Sequence, residues 1–226
     1  MNYDGWELKF FDASKNFRNY QFSLIKKFIG KNILEIGPGT GNFAEKYLIK
    51  NAENISLSEI NKELALNLSN KFKNNDNVKI LSKKINDIDD EFDTICYFDV
   101  LEHIELHEEE ISSALNKLKN NGRLIIMVPA FNYLFSDYDN SVGHFRRYEK
   151  KFFNNYISKN NVSCEKIIYF DSIGYLFLLI NKIIGSKKKS ISFATFIWNL
   201  LIPISKIIDV LTFNSFGKSL LCVIKK

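Results

Sequence analysis

Cysteine, histidine, proline and arginine are all scarce in this chain. Three cysteines among 226 residues, Cys96, Cys164 and Cys222, lie far apart in apolar runs with no Cys-x-x-Cys pair. That excludes a disulfide scaffold and predicts buried, reduced thiols in a cytoplasmic protein. The start Met-Asn-Tyr-Asp-Gly-Trp has neither a basic leader nor an apolar core, so export is not expected. Low-complexity linkers and internal repeats are lacking too, and 226 residues suit one large α/β domain, 1–226, with a full core. The net charge of +5 is scattered, Lys187 to Lys189 being the one short run, so no nucleic-acid partner is expected. Arginine supplies only 4 of the 31 basic side chains, which makes each arginine informative.

What the chain does have is glycine in one place. Residues 33–43 read Ile-Leu-Glu-Ile-Gly-Pro-Gly-Thr-Gly-Asn-Phe, a strand entering a loop with Gly37, Gly39 and Gly41. Alternating glycines after a strand bring bare backbone against a ligand. Glu35 beside that loop would repel a pyrophosphate and attract a sulfonium or ammonium centre. The Gly-x-Gly-x-Gly spacing also departs from the Gly-x-Gly-x-x-Gly of dinucleotide sites.

Around the loop, strands alternate with helical patterns. A leading helix over 15–29 precedes a core over 30–129, with strands at 32–36, 54–59, 78–81, 92–98 and 123–128 and helices at 42–49, 62–72 and 104–119. An aromatic and polar loop, 130–148, leads to a helix near 149–159 and strands at 164–170 and 220–224. The pattern predicts a doubly wound, Rossmann-like, mostly parallel sheet of seven strands, the last antiparallel, with a helical cap over 171–217 inserted before it.

The glycine stretch resembles motif I of class I S-adenosylmethionine (SAM) dependent methyltransferases, and that resemblance implies SAM as cofactor. Glu35, Gly37, Pro38, Gly39, Thr40, Gly41 and Asn42 would hold its amino-acid end. Glu59, 22 positions after Gly37, stands near the spacing of about 20 residues for a ribose-binding carboxylate. By the same resemblance Asp87 meets the adenine amino group, Ile60 and Ile88 its faces, and Phe98 and Asp99 line the pocket. The run Leu101-Glu102-His103-Ile104 is similar to the segment after the fourth strand in many small-molecule methyltransferases; His103 reads as base, acceptor contact or helix cap. Ubiquinone-pathway O-methyltransferases associate a comparable acid-x-x-Glu-His spacing with a divalent metal, which Asp99, Glu102 and His103 could imitate. With only His107 nearby as a further ligand, no metal is expected.

Residues 129–148 begin Pro-Ala-Phe and end Gly-His-Phe-Arg-Arg-Tyr. The run resembles a family of bacterial SAM methyltransferases often associated with glycan or lipid-linked glycan pathways. The resemblance spans nearly the whole chain, including the Phe-Arg-Asn-Tyr run, 17–20, of the leading helix; Lys218 and Cys222 depart from it, away from the expected site. It implies methyl transfer, with oxygen the favoured target, to a small molecule, a sugar or a lipid-linked glycan. His144 is the candidate base, Tyr148, Tyr133 and Tyr20 position the acceptor, and Arg146 and Arg147 form a fork for an acidic acceptor or a tie to Asp137, Asp139 or the sheet edge. The apolar segments 172–184 and 191–213 are readable as a lid over the acceptor, a homodimer surface, or a peripheral contact with the inner membrane face. Two other functions share the pattern: a nicotinamide or nucleotide-sugar oxidoreductase, and a non-catalytic, membrane-associated SAM-binding protein.

Overall fold

A computed structural model describes residues 8–184 and 191–226; Lys187 to Lys189 lie outside them. Seven strands form one sheet: β1 (Asn32–Ile36), β2 (Asn54–Ser58), β3 (Val78–Leu81), β4 (Phe92–Phe98), β5 (Leu118–Pro129), β6 (Ser163–Phe170) and β7 (Ser219–Lys225). Their order is β3-β2-β1-β4-β5-β7-β6. The first five run parallel, and β7 pairs antiparallel with both β5 and β6. The expected fold, with its antiparallel last strand, is the observed one.

Both faces of the sheet are covered, which is why its central strands read as nearly continuous apolar runs. On β5, Ile125 and Met127 join Phe17, Phe170, Trp198 and Ile202 on one face, while Leu124, Ile126 and Val128 join Leu115 and Phe153 on the other. The first face carries α2 (Lys15–Ile25), α3 (Lys62–Phe72) and α8 (Ile191–Leu211), and the second α4 (His107–Asn116) and α6 (Lys150–Asn160). α1 (Leu8–Ala13), α5 (Asp137–Ser141) and α7 (Ser172–Ile184) complete the set.

Three local departures from expectation have physical causes. The helix expected over 104–119 starts only at His107, because Arg146 takes the carbonyls of Ile104 and Glu105 at 2.6 and 3.0 Å and Phe145 N–H takes that of Glu102. The first crossover is a π-type turn, Ala44–Leu48, with Ile49 N–H bonded to the carbonyl of Ala44, a geometry found often at functional sites. Cys164 is exposed near the start of β6 rather than buried, whereas Cys96 and Cys222 are buried as expected.

Candidate functional site

The parallel strands end at a common edge, and there the chain gathers its polar groups. Gly37 and Gly41 adopt φ of +63° and +70°, and a Cβ on Gly41 would stand 2.5 Å from Leu68 and 2.9 Å from Phe72. The loop thus requires glycine for its turn and for its packing. Gly37 N–H is anchored on the carbonyl of Ser58 at 2.9 Å. α1, a helix outside the expected elements, lies over the loop: Leu8 faces Gly39, and Thr40 donates to Asp12 at 2.8 Å. Asn42 pairs with Lys71.

Glu59 follows β2 and is buried, accepting from Gly39 N–H at 3.2 Å and Asn61 N–H at 2.9 Å. Burial raises its carboxyl, against the pull of those backbone donors. Ile60 and Asp87 are exposed, whereas Ile88 is buried. Glu35 is fully enclosed with Oε2 unpartnered; burial pushes its carboxyl up to about 8, with the Arg18 guanidinium pulling the other way. The carboxylate expected there is therefore disfavoured until a cation arrives. Phe98 packs on Phe43 with ring centroids 4.8 Å apart. Asp99 sits at φ +56°, uncommon for a residue with a side chain, and its Oδ2 lies 4.0 Å from Arg18. Arg18 on α2, to which the sequence reading gave no role, is the cation between Glu35 and Asp99.

These features fit SAM: a glycine loop whose left-handed backbone a side chain would strain, a buried acid just after β2, and buried oxygens on Glu35 and Asp99 without hydrogen-bond partners.

The loop 130–148 is closed at its neck by a bridge between Ala130 and Tyr148. Inside it, α5 places Asp139 so that Arg147 clamps it with Nε and Nη2, each at 2.9 Å, while His144 Nδ1 lies 2.8 Å from Asp139 Oδ1. Burial alone would raise the Asp139 carboxyl, but the bonds to His144 and Arg147 prevail and hold it at about 2. An ionised Asp139 accepts, so Nδ1 donates, and in the neutral imidazole Nε2 is the nitrogen that carries the lone pair. That Nε2 lies 3.9 Å from Oε1 of Glu102, whose side chain is 0% exposed with both oxygens unpartnered. Burial first, then the charge of Asp99, push the Glu102 carboxyl well above the usual range. His103 meets His144 edge-on at 4.6 Å, and burial together with His144 lowers it to about 4. One ligand atom from each of Glu102, His103 and His144 lies within 4.8 Å of the others, so among the described residues these three form a group that could hold a metal ion.

Other expected acceptor residues are engaged elsewhere. Tyr148 is buried, its hydroxyl 3.1 Å from both the Leu101 carbonyl and His107 Nδ1. Tyr20 is buried and donates to Asp209 at 2.7 Å. Arg146 and Arg147 serve as ties rather than as a free fork. Tyr133 remains half-exposed, its hydroxyl 2.7 Å from that of Tyr175. Lys218, expected away from the site, feels the charges of Asp99 and Arg147 while paired with Asp171.

Comparison with known proteins agrees with the geometry. A methyltransferase-domain family matches residues 11–170, and the chain belongs to the class I SAM-dependent methyltransferases. The uncharacterized protein MJ1123 of Methanocaldococcus jannaschii is 30% identical over 170 residues, 74% of this chain and 73% of that protein. Among solved structures, a SAM-dependent methyltransferase from Archaeoglobus fulgidus shares 18% identity over the full length of both chains at a TM-score of 0.64. The N-methyltransferase NodS of Bradyrhizobium japonicum, in complex with S-adenosyl-L-homocysteine (SAH), is 14% identical, with 100% of this chain and 93% of that one covered and a TM-score of 0.60. Geranyl diphosphate C-methyltransferase from Streptomyces coelicolor, in complex with Mg2+, geranyl diphosphate and SAH, is 11% identical, covering 99% and 86% at a TM-score of 0.66. At these identities the likeness is one of fold. SAM is the cofactor, and the oxidoreductase reading is set aside.

Proposed function

We propose that this protein methylates a hydroxyl group of a sugar or another polar small molecule, free or lipid-linked, using His144 as the base. One observation carries the reading: the Asp139–His144 pair, locked by Arg147 and set beside the segment that follows Asp99. When bound, SAM supplies a methyl group already activated on a sulfonium. What the protein must add is alignment, exclusion of water and removal of the acceptor proton. Gly37 to Gly41 and Glu59 hold the nucleoside and amino-acid ends, Glu35 compensates the positive centre, and Arg18 is placed to meet the methionine carboxylate. The acceptor hydroxyl gives its proton to Nε2 of His144, and Asp139 stabilises the imidazolium that results. Tyr133, half-exposed in the same loop, is assigned to position the acceptor.

The test is methyl transfer from labelled SAM to sugar and glycolipid fractions. His144→Ala is expected to lower turnover about 100-fold or more, within the range for general-base catalysis, while SAH binding persists. Turnover at the wild-type rate in that variant overturns the assignment, and SAH binding without turnover in any fraction would favour a non-catalytic SAM-binding protein.

A further inference from the structure

α8 buries a mixed apolar and polar side and leaves a second, mainly apolar side exposed. Its inward side carries Trp198, Ile202, Ser205 and Asp209, all buried, and Asp209 accepts from Tyr20 and from the N–H groups of Asp171 and Ser172 at 2.7 to 2.9 Å. Trp198 donates to Asp171 at 2.8 Å. Even the carbonyl of Asn199, which Pro203 leaves without its helical donor, receives Asn16 Nδ2 at 3.0 Å. Trp198, Ile202 and these polar groups thus tie the helix to the domain, and most of its other large apolar side chains face out.

The outward stripe is Phe193, Phe196, Leu200, Ile204, Ile207 and Leu211, from 49% to 72% exposed. Its steps of 3, 4, 4, 3 and 4 residues average 3.6, the period of a straight α-helix, so the stripe runs along the axis for about 27 Å without the drift that favours a supercoiled partner helix. Phe193–Leu211 is long and apolar enough to cross a membrane, with 22% of it buried. Its tethered polar side instead makes it a helix that lies on a surface. α7, packed on α8, adds Ile180 and Ile183 to the exposed apolar surface.

Charge identifies what covers this face. Between 171 and 226 the sequence holds eight lysines and two acids, and both acids, Asp171 and Asp209, are fully buried. No acidic side chain of this segment reaches solvent among the described residues, while Lys182 is exposed and Lys206 half-exposed. The charges that this segment itself shows to solvent are cations, and an apolar stripe carried with them matches an anionic bilayer. The surface also joins the acceptor loop: Tyr175 of α7 bonds Tyr133, and Lys182 donates to the Tyr133 carbonyl.

We propose that the outer face of α7 and α8 seats on an anionic lipid surface and that the methyl acceptor is carried in that surface. Its second half rests on the methyl-transfer reading; the first does not. The full chain is tested by co-sedimentation with phosphatidylcholine vesicles, with and without about 30% phosphatidylglycerol, at low and high salt. Wild type is expected to pellet with the anionic vesicles, less so in high salt, and Leu200→Glu/Ile207→Glu to lose about tenfold in partitioning with an unchanged SAH thermal shift. Failure of wild type to pellet overturns the surface, as does equal pelleting of the variant. So does a concentration-dependent dimer that the variant dissolves without any vesicle binding, which would make a second copy the occupant. Methylation of soluble sugars alone by a vesicle-binding enzyme overturns the lipid-borne acceptor. Absence of turnover with every acceptor strikes the enzyme reading and leaves the pelleting result standing.

Discussion

Replacing Asp139 with Asn should cost stability in a way that depends on pH. Asp139 has a folded value of about 2 against an ordinary 3.8, a depression of about 1.8 units, which at 1.36 kcal/mol per unit is about 2.5 kcal/mol of stability at neutral pH. Because the folded value is the lower one, this contribution is complete above the unfolded value and fades as pH falls towards 2. By pH 3 about half is gone, leaving roughly 1.3 kcal/mol. Asp139→Asn also leaves the Arg147 guanidinium, 7% exposed, beside a neutral amide, so the loss at pH 7 should be about 2.5 kcal/mol or more. Urea unfolding of both proteins at pH 7, 4 and 3 reads the difference directly. A gap that stays constant with pH, or is absent at pH 7, refutes the view that an ionised Asp139 holds the loop together.

Further outcomes follow from the same geometry. Glu35, at about 8 when empty, should release up to about 0.9 proton per site at pH 7 as cationic SAM binds, and fewer with neutral-sulfur SAH; calorimetry in buffers of different ionisation heat measures this, and equal release with both ligands contradicts a Glu35–sulfonium contact. Gly41→Ala should destabilise by about 2 kcal/mol or more, since φ is +70° and the new Cβ meets Leu68 at 2.5 Å; an unchanged Tm would contradict the packing. Turnover should survive chelation, because His144 Nε2 takes the proton; loss restored by Mg2+ or Mn2+ would reassign Glu102, His103 and His144 as metal ligands.

Much of the frame was readable because it is written in local patterns. The strand–glycine–helix succession fixed β1 to β4 to within a residue, and Lys62–Phe72 follows its apolar spacing, with the Asn61 cap added by the structure. Long-range pairings were not readable. Tyr20 and Tyr148 look like acceptor contacts in sequence, and only their distant partners, Asp209 and Leu101, show them engaged. The Arg146–Arg147 pair announced a requirement for guanidinium, and of its two expected uses the tie is the one seen, Arg147 to Asp139 and Arg146 to two carbonyls. An acid five residues before His144 and eight before Arg147 was the available signal for that cluster. The outward apolar stripe of α8 could not be told from a core helix until its buried side was seen to hold Asp209.

The account stands most directly on a division of labour: the glycine loop and Glu59 hold the donor, and the 130–148 loop serves the acceptor. Calorimetric titration of SAH into wild type, Glu59→Ala and His144→Ala tests it without knowledge of the acceptor. Wild type should bind, Glu59→Ala should bind at least about tenfold more weakly through loss of charge-assisted hydrogen bonds, and His144→Ala should match wild type within about twofold, because His144 serves the acceptor. Undiminished affinity in Glu59→Ala, or lost affinity in His144→Ala, would contradict it.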